Sequence, residues 1–305
     1  NLGQASFAAG TNNTVSGANS SALGLDNTVA QAHSLVAGQG NTVTNSNPEI
    51  GTNMVFGQTN TLTNQHGAFV TGLGNALNND NPEQNRNTVL GVGNTLTNQR
   101  GVFVVGASHV LTGLATPDLN QNSIVIGQGI ELTNCGTNNY VLGTGIDVTE
   151  ADAAIAIGSS HTLNSTTEAL VIGQANGVDN SSRAFVFGRE NAISGPGNEN
   201  MALGYGHRLN GAYNSVFGRR CTTGSSFGHL LGEYLELGSN SSGSTLVGSY
   251  LKATDGPVVV LGLGLGPDNP CVVSRPNTVN IATMAEVPMA VFESNRMSLN
   301  MGNTP

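Results

Sequence analysis

The chain has 305 residues, with 10 Lys+Arg against 19 Asp+Glu, 42 Gly, no Trp and only 10% charged residues. A hydrophobic fraction of 38% is enough to build a core and opposes disorder. A net charge of −9, with Lys252 as its one lysine, opposes nucleic acid, which needs clustered cations to displace counterions.

Charged residues make up about a quarter of an ordinary globular chain, so amides and hydroxyls must cover this surface. No apolar run approaches the ~18 residues of a membrane span, and no membrane insertion is expected. Asn1-Leu2-Gly3-Gln4 shows no signal-peptide profile, so the chain reads as a mature or excised fragment. Cys135, Cys221 and Cys271 are odd in number and not in CxxC spacing, which indicates isolated buried thiols rather than a disulfide framework or zinc site.

From the first residues onward an apolar tetrad closing on Gly recurs. It begins at Phe7-Ala8-Ala9-Gly10 and returns at Gly24, Gly38, Gly57, Gly72, Gly91, Gly106, Gly127, Gly143, Gly158, Gly173, Gly188, Gly204 and Gly218, with weaker copies ending at Gly238, Gly248 and Gly262. The intervals between strong glycines are nearly constant, except for three longer ones that end at Gly57, Gly91 and Gly127. Five residues after each strong Gly up to Gly204 stands an aliphatic residue, from Val15 to Leu209. Three residues after it the slot holds Asn (Asn13, Asn27, Asn41, Asn60, Asn75, Asn94, Asn176, Asn191) or His (His109, His161, His207), with Ile130 and Ile146 as exceptions. Asn tolerates left-handed backbone and bonds its own chain, so a fixed Asn offset predicts a turn ladder between two short strands. Such coils are too short for helix pairs, and the β-branched, aromatic and Gly content opposes helix.

The expected fold is all-β: a parallel β-solenoid of 14–16-residue coils with edge loops, its coils stacked ~4.8 Å apart. Seventeen coils would form a rod about 80 Å long. The residue two before Gly is Ala or Val in all 14 strong copies, while its neighbours are usually bulky. Because side chains alternate along a strand, both strand faces are apolar, as in strands buried on both sides. This predicts a homo-oligomer, most simply a trimer about the rod axis; the alternative is wide coils whose tetrads lie inside one thick core.

The pattern [apolar]-[Ala/Val]-[apolar]-Gly-x-x-[Asn/Ser]-x-[Ala/Val/Leu], with a period near 14, resembles the head repeat of YadA-like trimeric autotransporter adhesins over about residues 1–262. Similar rolls occur in bacteriophage tail fibres and other trimeric surface fibres. The resemblance implies a left-handed parallel β-roll, three chains about one axis, and extracellular attachment without catalysis. The chain departs from that pattern in its Asn or His where Ser is common, its larger residues at the later apolar slot and its insertions. No coiled-coil stalk or anchor barrel is found in these residues, so autotransporter, phage fibre and other surface fibre all stay open as the parent.

The three long intervals fall after the aliphatic residue in alternate coils, at 44–53, 78–87 and 112–122. Gly38, Gly72 and Gly106 are evenly spaced two coils apart, and residues 60–72 nearly match 94–106, so a two-coil unit is duplicated. The loop tips Asn47, Pro48, Glu49, Asn81, Pro82, Glu83, Pro117 and Asp118 are the candidate ligand-binding residues. They are expected to protrude about 10 Å from one another on one edge, although a solenoid also accepts insertions wherever an edge is exposed. Loops on rigid scaffolds often carry binding, and three copies would multiply weak contacts.

No nucleophile elbow, HExxH, Walker A or EF-hand loop is present, so neither enzyme activity nor any metal or cofactor is expected. His109, His161 and His207 are three coils apart, about 14 Å, too far to share one metal within a chain. Asp147, Glu150 and Asp152 read as a solvated edge. After Gly218 the repeat is expected to become irregular, with 1–262 as the roll and 263–305 as a β cap or connector. These features predict a non-enzymatic homotrimeric fibre or adhesin head, placed outside the cell on a cell or virion surface, that binds a glycan or protein receptor. A structural spacer and a polysaccharide-cleaving tailspike are the alternatives.

Overall fold

The structure, a computed structural model, describes residues 2–49, 51–80, 86–113, 122–134, 136–283, 290–293 and 296–299. Every regular element among the described residues is a β-strand. The chain divides into two compact units, Asn1–Ser160 and His161–Pro305. Each is a parallel β-solenoid in which one coil pairs in register with the next, as in Phe7↔Ser21 through Thr11↔Leu25 in the first unit and Phe185↔Met201 through Arg189↔Tyr205 in the second.

The second coil shows how the sequence makes the turn. Ser21–Leu25 is a five-residue strand; Asp26 turns the chain with a left-handed backbone at φ 56°, Thr28–Val29 forms a short second strand, and His33 turns it again at φ 54°. Alternation along the first strand aims Ala22 inward and leaves Ser21 and Leu23 outside, while Val29 points inward from the second strand. The Ala/Val two before Gly and the aliphatic residue five after it are buried in coil after coil, as with Val36 and Val43 or Val70 and Leu77. Each buried Val, Leu or Ile among them contributes roughly 1.5–3 kcal/mol by leaving water.

The repeated Gly lies within the longer strand rather than at a corner. Gly72 has φ +129°, and a Cβ there would run into the carbonyl oxygen of Gly91 on the next coil. The glycine column is therefore where neighbouring backbones approach most closely.

The Asn slot forms a buried ladder. Asn41 donates from both its backbone N and its Nδ2 to Oδ1 of Asn27, at 3.1 and 3.0 Å, and Nδ2 also donates to the Gly57 carbonyl at 2.8 Å. The same three bonds recur at Asn60, Asn75 and Asn94. The left-handed residue is not the ladder Asn, as the sequence suggested, but the one before it, such as Asp26, Thr59 or Ser108. The Asn backbone is thereby free to turn its amide inward.

Histidine enters this ladder as a substitute amide. His109 receives the backbone N–H of Ile130 on Nδ1 at 3.2 Å and places Nε2 3.3 Å from the Val105 carbonyl. His207 does the same with Cys221 and Leu203, at 3.2 and 3.1 Å. Nδ1 accepts and Nε2–H donates, the roles of Oδ1 and Nδ2 in Asn. Burial pushes both imidazoles below their ordinary value of 6.5.

A second polar ladder, absent from the sequence expectations, occupies the residue before each longer strand. Asn53 Oδ1 accepts the N–H of Ala68, Asn87 that of Val102, Asn139 that of Ala154 and Asn214 that of Gly228, at 2.8 to 3.2 Å.

In the unit His161–Pro305 the repeat runs further than expected. His229–Glu233, Thr245–Ser249 and Val258–Leu263 continue the longer-strand column, with Gly218, Gly232, Gly248 and Gly262 in register. The tetrad assigned to Gly238 is corrected accordingly: Gly238 sits in the short-strand column, in Glu236–Asn240. What changes after Gly218 is the ladder slot, which passes from Cys221 to Leu235 and Leu251, all buried. Cys221 and Cys271 are buried free thiols, pushed up by burial, while Cys135 lies outside the described residues. Among the described residues Thr278–Thr283 is the last parallel partner; Ala290–Glu293 and Arg296–Leu299 then pair antiparallel.

Substitution tests both the glycine column and the histidine rungs. Gly72→Ala should destabilise the chain by about 2 kcal/mol or more in chemical denaturation, whereas Thr61→Ala, on an exposed strand position, should stay within about 0.5 kcal/mol; equal midpoints would remove the close-approach argument. His109 and His207 fold with depressed pKa values, so the stability they contribute is complete above 6.5 and declines as pH falls below it, when the unfolded chain takes up protons first. The double variant His109→Asn/His207→Asn should flatten that decline, and an unchanged slope between pH 7.5 and 5 would refute the role given to these rings.

Candidate functional site

In the first unit the loop after the short strand Thr42–Thr44 carries the first predicted tip. Asn47, Pro48 and Glu49 are exposed, and the loop is held by its own backbone: Pro48 O accepts Ala32 N–H at 2.8 Å, and Asn45 Oδ1 accepts Asn47 N–H at 2.8 Å. Ser46 N–H reaches forward to Asn64 Oδ1 on the following coil at 2.8 Å. The tip is thus a fixed polar projection. Asn81, Pro82, Glu83, Pro117 and Asp118 lie outside the described residues.

Beneath this edge runs a buried amide network that pattern reading missed. Gln31, Gln65 and Gln99 are buried and recur at the interval of the duplicated two-coil unit. Asn53 Nδ2 donates to Gln31 Oε1 at 2.6 Å and to the Gln65 carbonyl at 3.0 Å; Asn87 Nδ2 repeats this with Gln65 Oε1 at 3.1 Å and the Gln99 carbonyl at 2.9 Å. Asn53 and Asn87, which close the first two insertions, therefore belong to a polar floor with its hydrogen bonds made, which keeps the coils stacked where the chain departs from the short period. The return of Gln once in every two-coil unit was a signal available for finding it.

The other candidate surface is the outer face of the longer strands. In the first unit Phe103 is 38% exposed while its neighbour Val104 is fully buried, and Met54, Ile126, Tyr140, Leu142 and Ile157 project likewise. The tetrads therefore do not lie inside one thick core. Phe56 and Phe69 meet across adjacent coils with ring centroids 6.2 Å apart. In the second unit Phe185 and Phe187 share this face at 4.9 Å, and an apolar hollow of about 400 Å³ opens between Phe217, Leu231 and Val247.

Among the described residues no group of three or more His, Cys, Asp or Glu is placed to hold a metal ion. Asp147 and Asp152 are exposed and spent locally, on Thr149 Oγ1 at 3.2 Å and on Thr137 N–H at 2.7 Å. His109 and His207 are occupied by backbone groups inside their coils, and His161 likewise accepts the Asn176 N–H at 3.2 Å. No protein-family profile and no curated protein sequence matches this chain.

Proposed function

We propose that the chain is the head of a homotrimeric surface fibre that attaches to a target cell surface and performs no catalysis. One observation carries this reading: the outer face of the longer strands is largely apolar in coil after coil and has no partner among the described residues. In the unit Asn1–Ser160, ten such strands stack among the described residues, about 45 Å at strand spacing. A stripe about 10 Å wide would have an area on the order of 450 Å², comparable to the largest apolar patch on an ordinary soluble monomer. The second unit bears its own stripe. Further copies of the chain, each presenting the same stripe, cover it most economically, and a threefold arrangement fits the resemblance to trimeric adhesin heads.

In such an assembly the polar edges remain outside. The rigid tip Asn47-Pro48-Glu49 would be displayed once per chain, so that weak contacts with a glycan or protein receptor add through multivalency. Attachment places the protein on a cell or virion exterior. The competing role as a spacer predicts the same assembly without adhesion.

Light scattering on the full chain should give three times the 31.1 kDa monomer. Phe103→Asp, on the outer face, should lower that mass at micromolar concentration while preserving the β circular-dichroism signal. A stable wild-type monomer would overturn the assembly, and a trimer that fails to adhere to any target cell would leave the spacer role instead.

A further inference from the structure

The second unit carries a polar cleft unconnected with the predicted loop tips. It lies where the longer strands run into the corner before the short strands. Phe185–Arg189, Met201–Tyr205, Ser215–Arg219, His229–Glu233 and Thr245–Ser249 end there, and Glu190, Arg220, Tyr234 and Tyr250 follow with left-handed backbones. Gly177 and Ala192 are small at the positions where the next coil sets Arg208 on the outer face of the short-strand sheet. The step between them opens a cleft of about 620 Å³, lined among others by Glu190, Tyr205, Arg208, Arg220 and Thr222. That volume is within the roughly 300–1,000 Å³ range of small-ligand sites.

The charges are arranged unlike those elsewhere in this acidic chain. Arg189, Arg208, Arg219 and Arg220 gather here against Glu190 and Glu233, an excess of two cations in a chain of net −9. Glu190 is committed to the Tyr205 hydroxyl and to Arg189, whose Nη2 lies 2.7 Å away; the Tyr205 hydrogen bond, then that of Arg189, hold its carboxyl below the usual range. Glu233 is committed to Arg219. Arg208 is exposed, and its side chain has no ion-pair or hydrogen-bond partner among the described residues. Arg220 donates from Nη1 to the Tyr234 hydroxyl at 2.7 Å, with its guanidinium 5.8 Å from the Tyr205 ring and 5.6 Å from the Tyr234 ring. Tyr234 in turn stacks on Tyr250 at 5.2 Å.

We propose that this cleft binds a carboxylated sugar unit of an acidic polysaccharide, with Arg208 and Arg220 taking the carboxylate and Tyr205, with the Arg189 and Arg220 guanidiniums each 5.8 Å from its ring, holding Arg220 in place. A guanidinium carries five N–H donors in a planar fork that matches a carboxylate, and the stacking of Arg220 on its tyrosines fixes that fork in advance. Thr222 is left to meet a sugar hydroxyl. A helix or strand would need apolar anchor pockets, which this polar cleft does not provide. Screening beyond about 8 Å at physiological salt lets the local cations outweigh the distant acidic residues. The proposal deepens the attachment reading and rests on it for its purpose, but its chemistry is tested separately.

Binding of polygalacturonate to the full chain, measured by calorimetry, should be detectable, weaken with added salt and be absent for neutral dextran. Arg208→Ala and Tyr205→Ala should each weaken it by about tenfold or more, Arg208→Lys by less, and Thr61→Ala in the other unit not at all. Undetectable wild-type binding, equal binding of dextran sulfate, or full affinity in a folded Arg208→Ala variant would each overturn the carboxylate site. Cell adhesion separates the two readings: a variant that loses polygalacturonate but still adheres upholds the cleft and places attachment elsewhere, whereas polygalacturonate binding by a chain that adheres to no cell upholds the cleft and removes the attachment role.

Discussion

Parallel stacking in register sets each side chain beside its own counterpart on the next coil, about 4.8 Å away. Two like charges at that spacing repel by about 1 kcal/mol in water and by several times more where water is excluded. An inward column must therefore consist of groups that complement themselves: Val on Val, Gly against the next carbonyl, or Asn, which donates and accepts at once. The low charge of the chain follows from this. Some charges that stack alternate in sign, as in Arg183 beside Glu199 at 2.6 Å and Lys252 beside Glu236 at 2.7 Å, whereas the like-charged pair Glu131 and Asp147 stands at exposed positions where water screens it.

The same rule explains what the Asn column tolerates. Asn94 Oδ1 and Asn191 Oδ1 each accept the backbone N–H of the histidine that follows, and that histidine in turn accepts one backbone N–H at Nδ1. His109 is followed by Ile130 and His207 by Cys221, residues with no side-chain amide to offer. In these two places the imidazole ends an amide run without leaving an orphaned acceptor, and an apolar column can begin. Leu235 and Leu251 then continue it in the second unit by the older expedient of matching apolar groups.

Much of this was legible because repetition amplifies a weak signal. The tetrad, the aliphatic residue five after Gly and the Asn slot each recur often enough that single departures such as Ile130 did not hide them. The second ladder escaped notice because its position accepts Ser20, Asn53, Ala68, Val102 or Gly228, so that no residue type marks it; only the geometry shows that Asn53 and Ala68 are successive rungs. Near Gly232 the tetrad begins with His229, which disguised a strand whose register is intact. The Tyr–Arg cleft was hidden for a different reason. Glu190, Tyr205, Arg220 and Tyr234 stand one or two places after the repeated Gly, and Arg208 and Thr222 four places after it on the exposed face of the short strand, positions that accept almost anything and where periodicity carries no information.

That freedom is why the corners are where one coil can differ usefully from another. The inward positions are fixed by stacking, and the outer strand face is mostly apolar. In the first unit the left-handed corner is often bare, as at Gly40, Gly74, Gly93, Gly129 and Gly145. The second unit places Arg220, Tyr234 and Tyr250 in the same conformation, which costs on the order of 1 kcal/mol apiece relative to Gly. Stacking of Tyr234 on Tyr250 and of Arg220 against two rings returns about 0.5–1 kcal/mol per contact at an exposed site. The balance is close to neutral, so this aromatic and cationic column adds little to the stability of the coil. Its stacking instead holds the guanidinium in a fixed position against solvent, an arrangement that folding does not require and that recognition of an anionic ligand does.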